Sequence, residues 1–284
     1  MNTQHDTPDD LATAAMMNGR IAVALTPLTA PVEGLSRLRS RLRARVAASA
    51  ARHRGLSTLR SGDAQWQKIA NGVRAWVLHD NGASRSTLIA FDPGASMAAH
   101  RHTAHEECIV LRGSLDAGGC LIRVNDYHVA PAGSRHVGLS SPDGGMAYVR
   151  GTSVGKMSGM LREYFAGWLP GAGPAPYTIA ADSGEWHDWQ QGAAIKPLFS
   201  ADGAASVLLR LDAGARVTLA PATAGRECLL LTGDVFVGDI LVRQGEYQVA
   251  QVAQVEKGSE VSELYSDTGA LLFIHGKAGG QCPA

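Results

Sequence analysis

The chain has 284 residues, 45% of them hydrophobic, which is enough for one large domain or two ordinary ones with a substantial core. Its 26 lysines and arginines balance 26 aspartates and glutamates, so overall charge gives no reason to expect nucleic acid or an anionic membrane as a partner. The 4 cysteines follow no disulfide framework, and the first residues are polar and acidic rather than a secretory signal. We therefore expect a soluble, cytoplasmic protein.

Residues 1–56 are predicted to form a helical N-terminal segment. Within it, apolar residues recur at helical spacing, while arginines occupy every second position from Arg37 to Arg45. A basic amphipathic helix of this kind could hold a partner protein, touch nucleic acid or lie on an acidic surface. Equally, it could be a linker helix that packs its apolar stripe on its own domain or in a dimer. The candidate partner-binding residues are Leu35, Leu38, Leu42, Val46, Arg41 and Arg45.

From residue 57 onward the chain consists of short apolar runs separated by turn signals, for example Asp80-Asn81-Gly82. Regularly spaced short strands of this kind are typical of a β-sandwich or barrel. The predicted strands of the first half are 73–78, 86–91, 107–111, 120–124, 136–140 and 146–150.

The sequence repeats itself. A shift of 120 residues superimposes, without a gap, Trp66 on Trp186, Gly94 on Gly214, Glu107 on Glu227, Cys108 on Cys228, Gly113 on Gly233 and Tyr127 on Tyr247. Such a long period indicates two copies of one β unit rather than a solenoid. We predict β domains at 57–155 and 178–276, joined by a Pro- and Gly-containing linker at 156–177.

The first copy contains a candidate metal site. His100 and His102 lie two residues apart, so they share one face of an extended strand, and Glu106 can close on the same point after a short turn. Imidazole and carboxylate donors suit zinc, iron, manganese, nickel or copper. His136 follows the turn that contains Gly133 and could face back towards the pair as a fourth ligand.

Three neighbouring residues have less certain roles. Glu107 could replace Glu106 as a ligand, but strand alternation sends it to the opposite face, and its recurrence in the second copy suggests a structural role. Cys108 shares the face of Glu106 and could be a redox-sensitive thiolate, whereas its recurrence favours a buried core thiol. His105 is a candidate to hydrogen-bond to the ligands without contacting the metal itself.

The second copy lacks the ligands. Ala220, Ala222 and Arg226 stand at the positions of His100, His102 and Glu106, and His136 corresponds to Glu256 or, after a small shift, Val261. We therefore expect no metal in the second copy. Its guanidinium would lie where the ion sits, paired with Glu256, and its role would be to cover the first barrel or support a dimer.

These residues resemble the cupin family. The first segment fits the family's motif at Gly94, His100, His102, Glu106 and Gly113, and the second fits at Pro131, Gly133 and His136 but has Asn125 in place of an opening glycine. The resemblance implies a mostly β protein of two tandem double-stranded β-helix (jelly-roll) barrels. It also implies that His100, His102, Glu106 and His136 hold one divalent transition metal, with zinc preferred and iron, manganese or nickel as alternatives.

Among cupins, the first copy is most similar to the cupin-like domain of ChrR-type anti-sigma factors, in tokens such as Trp66, Pro93-Gly94 and Asp126-Tyr127. That likeness implies a regulator that senses a metal or oxidative stress and has a sigma factor or other regulatory protein as partner. Residues 1–60, however, lack the cysteines of the family's zinc-held clamp. The alternatives are a mononuclear metal-dependent dioxygenase, or related enzyme, with a small molecule in the first barrel, and a structural cupin. We expect a homodimer without membrane or direct nucleic-acid contacts.

Overall fold

The structure, a computed structural model, describes residues 16–17, 32–136, 138–151, 173–219, 225–250 and 263–277. By its internal contacts the chain divides into two compact units, residues 1–50 and 51–284. Most of the predicted linker lies outside the described residues, as do Ala220, Ala222, Glu256 and Val261.

The predicted basic helix is present as α1, Val32–Arg52. Its alanine-rich second half extends it beyond the leucine and arginine repeat, because alanine has the highest helix propensity. The side chains of Leu38, Leu42 and Val46 are 60%, 59% and 59% exposed, and Leu35 is 38% exposed. The apolar stripe therefore faces outward on this helix.

The second unit is built almost entirely of short antiparallel strands, with a 3₁₀ turn at Ser61–Asp63. The strands of the first half are β1 Leu56–Leu59, β2 Gln67–Ala70, β3 Val73–Asp80, β4 Arg85–Phe91, β5 Ala95–Met97, β6 His100–Arg101, β7 Glu106–Asp116, β8 Leu121–Arg123, β9 Tyr127–Ala130, β10 Arg135–His136, β11 Leu139–Ser141 and β12 Gly145–Gly151. Those of the second half are β13 Tyr177–Ile179, β14 His187–Gln190, β15 Ala193–Ala201, β16 Ala204–Leu211, β17 Arg216–Thr218, β18 Arg226–Val237, β19 Ile240–Arg243, β20 Tyr247–Ala250, β21 Glu263–Tyr265 and β22 Ala270–Lys277.

The sheet topology confirms the duplication. The main sheet of the first half has the order β13-β9-β7-β12-β4-β3-β2, and that of the second half has the equivalent order β1-β20-β18-β22-β16-β15-β14. Each main sheet takes its first strand from the other half: β13 pairs with β9, and β1 pairs with β20. The domain boundaries remain sequence predictions, and the structure adds this exchange of one strand in each direction.

The duplicated glycines are required by close backbone contacts. Gly113 has a φ of 67°, and a Cβ atom there would lie 2.1 Å from the carbonyl oxygen of Gly144. Gly233 has a φ of 79°, and its Cβ would lie 2.1 Å from the carbonyl oxygen of Gly269. Only glycine fits at this position of the paired strands in either copy.

Each main sheet is apolar on both faces. One face lines the core of its own barrel, which includes Val110 in the first copy and Leu230 in the second. The other faces form a third cluster that joins the two barrels and contains Ile109, Tyr148 and Phe273. The second barrel thus covers the outer face of the first barrel's main sheet, one of the two structural roles expected for it.

Two buried carboxylates lie within this joint. Glu107 accepts hydrogen bonds from Tyr127 at 2.6 Å and from the hydroxyl of Ser206, a residue of the other barrel. Glu227 in turn accepts hydrogen bonds from Tyr247 at 2.7 Å and, across the joint, from Ser86. The same arrangement therefore occurs twice, with each glutamate bonded to a tyrosine of its own barrel and a serine of the other.

One arginine contacts both carboxylates. The guanidinium of Arg150 lies 3.1 Å from Glu227 and 3.4 Å from Glu107. Because the Ser206 hydroxyl donates to Glu107, it accepts from Nδ1–H of His275, 2.8 Å away. Burial by itself would raise the pKa of Glu107, but His275, Arg150 and Ser206 outweigh it and lower this pKa to about 2.

We expect Glu107→Gln to lower the free energy of unfolding at pH 7 by about 3 kcal/mol, because it leaves Arg150 partly uncompensated in a buried site. The pKa of Glu107 is about 2 in the fold, against an ordinary value of 4.5. The contribution of this carboxylate is therefore fully present above about pH 4.5 and is lost as the pH falls towards 2. Urea denaturation of both proteins at pH 7 and at pH 3.5 should show the difference shrinking at the lower pH.

The matched control is Glu263→Gln, which removes the exposed carboxylate that pairs with Arg216. An exposed pair contributes little, so this change should alter stability by less than about 1 kcal/mol. Equal effects of the two substitutions would contradict the role given to the buried network.

Candidate metal centre

The structure brings His100, His102 and Glu106 together. Their ligand atoms all lie within 4.8 Å of one another. Nδ1 of His102 is 3.6 Å from a carboxylate oxygen of Glu106, too far for a good hydrogen bond but compatible with two donors on one ion, each about 2.1 Å from it. His102 is 1% exposed, while the other two side chains are half-buried. Solvent therefore reaches His100 and Glu106 more readily than His102.

Local backbone contacts position the two histidines. His100 lies in the short strand β6, which pairs with β10. The backbone N–H of His102 donates to the carbonyl of Ser134 at 3.0 Å, and the N–H of Gly133 donates to the carbonyl of His102 at 2.8 Å. The Pro131-to-Ser134 turn therefore fixes the segment that carries both imidazoles.

A carbonyl fixes the tautomer of His100. Its Nδ1 is 2.9 Å from the backbone oxygen of Ala98, which can only accept, so Nδ1 carries the proton. Nε2 then keeps its lone pair for a metal, as in sites where the distal nitrogen of a ligand histidine is held by a carbonyl. Two imidazoles and one carboxylate suit a divalent transition metal, and the described residues fit such an ion.

The proposed fourth ligand is placed by its backbone only. His136 pairs with His100 in the β6–β10 register, so its backbone is adjacent to the group. The position of its side chain lies outside what the structure describes. Its role as a ligand remains a prediction.

Glu107 and Cys108 do not belong to the metal group. Glu107 is on the opposite face of β7 and belongs to the network between the barrels, as the alternation of strand side chains requires. Cys108 is 7% exposed among the apolar residues of the first core. Burial, and secondarily the charge of Glu106, raises the pKa of the Cys108 thiol, so it is a protonated core thiol and a poor redox candidate.

His105 also faces away from the three ligands. Its Nδ1 accepts a hydrogen bond from the backbone of Ala132 at 3.2 Å, and its ring packs on Phe199 of the second barrel at a centroid distance of 5.2 Å. It can hold the turn after Pro131, which itself positions His102. Its support for the site is indirect.

His128, a residue of β9 that the sequence analysis does not include among the site candidates, lies close to the candidate centre. It pairs with Cys108 in the β7–β9 register, and its Nδ1 lies 2.9 Å from the hydroxyl of Thr178, which the exchanged strand β13 supplies. Burial and, to a lesser extent, His102 lower the pKa of His128 to about 4, so this imidazole is neutral at pH 7. Cys108 lies on the same face of β7 as Glu106, so the residue that pairs with Cys108 lies on that face too. This alternation is the signal that could have identified His128.

In the second copy, residues 220–224 lie outside the described part of the chain, and Arg226 pairs with Ala250 and Gly276 of the neighbouring strands. Among the residues described in this copy, no group of three or more potential metal ligands lies close together. The predicted pairing of Arg226 with Glu256 falls outside the described residues.

The comparison with known families matches residues 55–154 to the ChrR Cupin-like domain. The matched segment covers the first barrel and its candidate metal group, and it is similar to this domain. No curated protein matches the chain. Among the residues described, no helix has the length and apolar character needed to span a membrane.

Solved structures show the same fold at low sequence identity. A proposed dioxygenase from Nostoc punctiforme is 13% identical with a TM-score of 0.57, covering 81% of this chain and 85% of its own. Oxalate decarboxylase from Bacillus subtilis, in a variant form, is 15% identical with a TM-score of 0.55, covering 78% and 76%. The formate complex of Lactobacillus farciminis oxalate decarboxylase is 15% identical with a TM-score of 0.55, covering 78% and 85%. The two-barrel cupin fold implied by the sequence motifs is therefore confirmed.

We expect His102→Ala to reduce bound metal to below about a tenth of the wild-type content, because it removes a buried donor and opens a cavity beside the other two. The measurement is elemental analysis of purified full-length protein. His79→Ala, on β3 and outside the group, is the control and should retain metal. Unchanged metal content in His102→Ala would refute the assignment.

The cysteines should differ in reactivity because of burial. Cys120 is exposed and Cys108 is buried, so iodoacetamide at pH 8 should alkylate Cys120 at least about tenfold faster in the native protein. Peptide mass spectrometry over a time course measures both rates, and denatured protein gives the reference in which they converge. Equal rates in the native fold would show that Cys108 is accessible after all.

Proposed function

We propose that this protein is a metal-binding regulatory protein of the ChrR-like type, in which the first barrel senses a metal or oxidant and α1 engages a transcription partner such as a sigma factor. The observation that carries the proposal is the donor group of His100, His102 and Glu106 inside the segment that matches the ChrR Cupin-like domain. The basic helix precedes that segment directly in the chain.

The proposed metal site uses residues of the first barrel only. His100, His102 and Glu106 would bind one divalent transition ion, with His136 as the fourth ligand. Three imidazoles and a carboxylate would suit zinc, while iron, manganese or nickel would accept the same donors. When bound, the ion would supply a Lewis-acidic centre, or a redox centre in the case of iron.

The chain's own residues determine access to that site. The buried His128 beside His102 is neutral at pH 7, because its pKa is lowered to about 4, and it adds no positive charge to the site. Half-buried His100 and Glu106 form the side that a small molecule or oxidant would reach. A signal acting on the metal would therefore arrive at these two ligands first.

The proposed partner surface is the outward stripe of α1. Leu38 and Leu42 would enter an apolar groove on the partner, and Arg41 and Arg45 would pair with acidic residues at its rim. Recognition by such a helix does not need the cysteine-held clamp whose cysteines residues 1–60 lack.

The alternative function is a mononuclear metal-dependent dioxygenase or related small-molecule enzyme. A specific observation favours it: two histidines and one carboxylate are the facial set of non-haem iron oxygenases, which leaves positions for substrate and oxygen. Under this alternative, the candidate ligand would lie in the first barrel beside His100.

Leu38→Asp with Leu42→Asp should abolish capture of a sigma factor from the native host, because two carboxylates in an apolar groove are too costly to bury. The measurement is affinity purification of the full-length protein followed by identification of bound sigma factors. Leu121→Asp, an exposed leucine of the first barrel, is the matched control and should retain the partner.

The same preparations separate the two functions. Retention of a sigma factor by wild type and control, but not by the double variant, supports the regulator. Oxygen consumption with a diketone or thiol substrate that disappears in His100→Ala, without sigma-factor capture, would replace the regulator with the enzyme.

A further inference from the structure

A cavity of about 430 Å³ lies between the two barrels and is separate from the metal centre. Its volume falls in the range of small-molecule sites, roughly 300–1,000 Å³. The first barrel contributes Trp66, Trp76 and Leu111 to its wall, and the second contributes Leu231. None of the three candidate metal ligands described above lines it.

The wall is shaped for a flat apolar group. The rings of Trp66 and Trp76 have a centroid distance of 6.2 Å and an interplanar angle of 59°, so they pack directly against each other and form one continuous aromatic wall. Met146 also lines the cavity, and its thioether suits contact with an aromatic edge. Aromatic rings bind well in such settings because both stacked and edge contacts are available.

One charge completes the cavity. Arg112, on β7, is the charged residue that lines it, and the described lining contains no carboxylate. The guanidinium is exposed and can pair with a planar anion through two parallel hydrogen bonds. The complementary ligand therefore carries an aromatic ring and a single anionic group.

The second copy shows that the fold does not require this cavity. Lys196 stands at the position of Trp76 after the 120-residue shift. It is 1% exposed, and its ammonium donates to the carbonyls of Ala181 at 2.9 Å and Ser183 at 2.7 Å while lying 5.2 Å from the Trp186 ring. The duplicated position is thus filled by a lysine in one copy and forms a wall of tryptophan in the other.

We propose that the cavity is a binding site for an aromatic carboxylate, with the ring packed against the Trp66–Trp76 pair and the carboxylate on Arg112. The site is independent of the metal centre and of the function proposed for it. It places a small-molecule ligand at the joint between the barrels, next to both main sheets.

The test uses 2-naphthoate as probe and 2-naphthalenemethanol as its neutral counterpart, followed by calorimetry and tryptophan fluorescence on the full chain at pH 7. Naphthoate should bind saturably and quench the fluorescence. Arg112→Gln should weaken naphthoate binding about tenfold or more, since it removes a charged partner, and change the alcohol by less than about twofold. Arg123→Gln, an exposed arginine of β8 outside the cavity, is the matched control and should change neither.

Two further measurements fix the location. Met146→Trp should fill the cavity and weaken both probes, and the melting temperature and alcohol binding of Arg112→Gln show whether that variant is folded. Binding that survives Arg112→Gln but is lost after EDTA treatment would place the carboxylate on the metal and overturn the proposal. Absence of saturable naphthoate binding to the wild type would overturn it as well.

Discussion

The joint between the barrels depends on two buried carboxylates, each of which accepts a hydrogen bond from a serine of the other barrel. Glu107 and Glu227 would each be costly to bury alone, and Arg150 supplies the shared positive charge that makes burial tolerable. Serine hydroxyls cross the joint in both directions, so neither barrel can satisfy its own glutamate. The two main sheets are therefore fixed in register by polar contacts that tolerate little displacement.

These contacts explain why the second copy has the same strand order as the first although it lacks the ligand histidines. Its main sheet carries Glu227, Tyr247 and Ser206, which belong to the network at the joint. This network does not involve the positions that correspond to the metal ligands. The exchanged strands reinforce the dependence, because β13 supplies Thr178 to the interior of the first barrel, beside His128. A barrel with the candidate metal group and a barrel whose described residues contain no such group are thus joined by shared contacts.

Strand alternation divides the work of one short stretch. Along β7, Glu106 faces the candidate metal and Cys108 the interior of the same barrel, while Glu107 and Ile109 face the second barrel. One segment therefore serves the site and the joint at once. A shift of the strand register by one residue would place Glu107 at the metal group and Glu106 at the joint. The close contact between Gly113 and the backbone of Gly144 disfavours that shift.

Strand alternation, the 120-residue repeat and the spacing of the histidines and glutamate were sufficient to predict the fold class, the duplication and the candidate group of His100, His102 and Glu106, because these patterns lie within the sequence. It also predicted a structural role for Glu107 from its recurrence. The tertiary structure was needed to show which residues meet across the joint and that Trp66, Trp76 and Leu231 line one cavity. Those features depend on how two sheets pack face to face, and partners far apart in the chain leave no spacing that a sequence pattern can reveal.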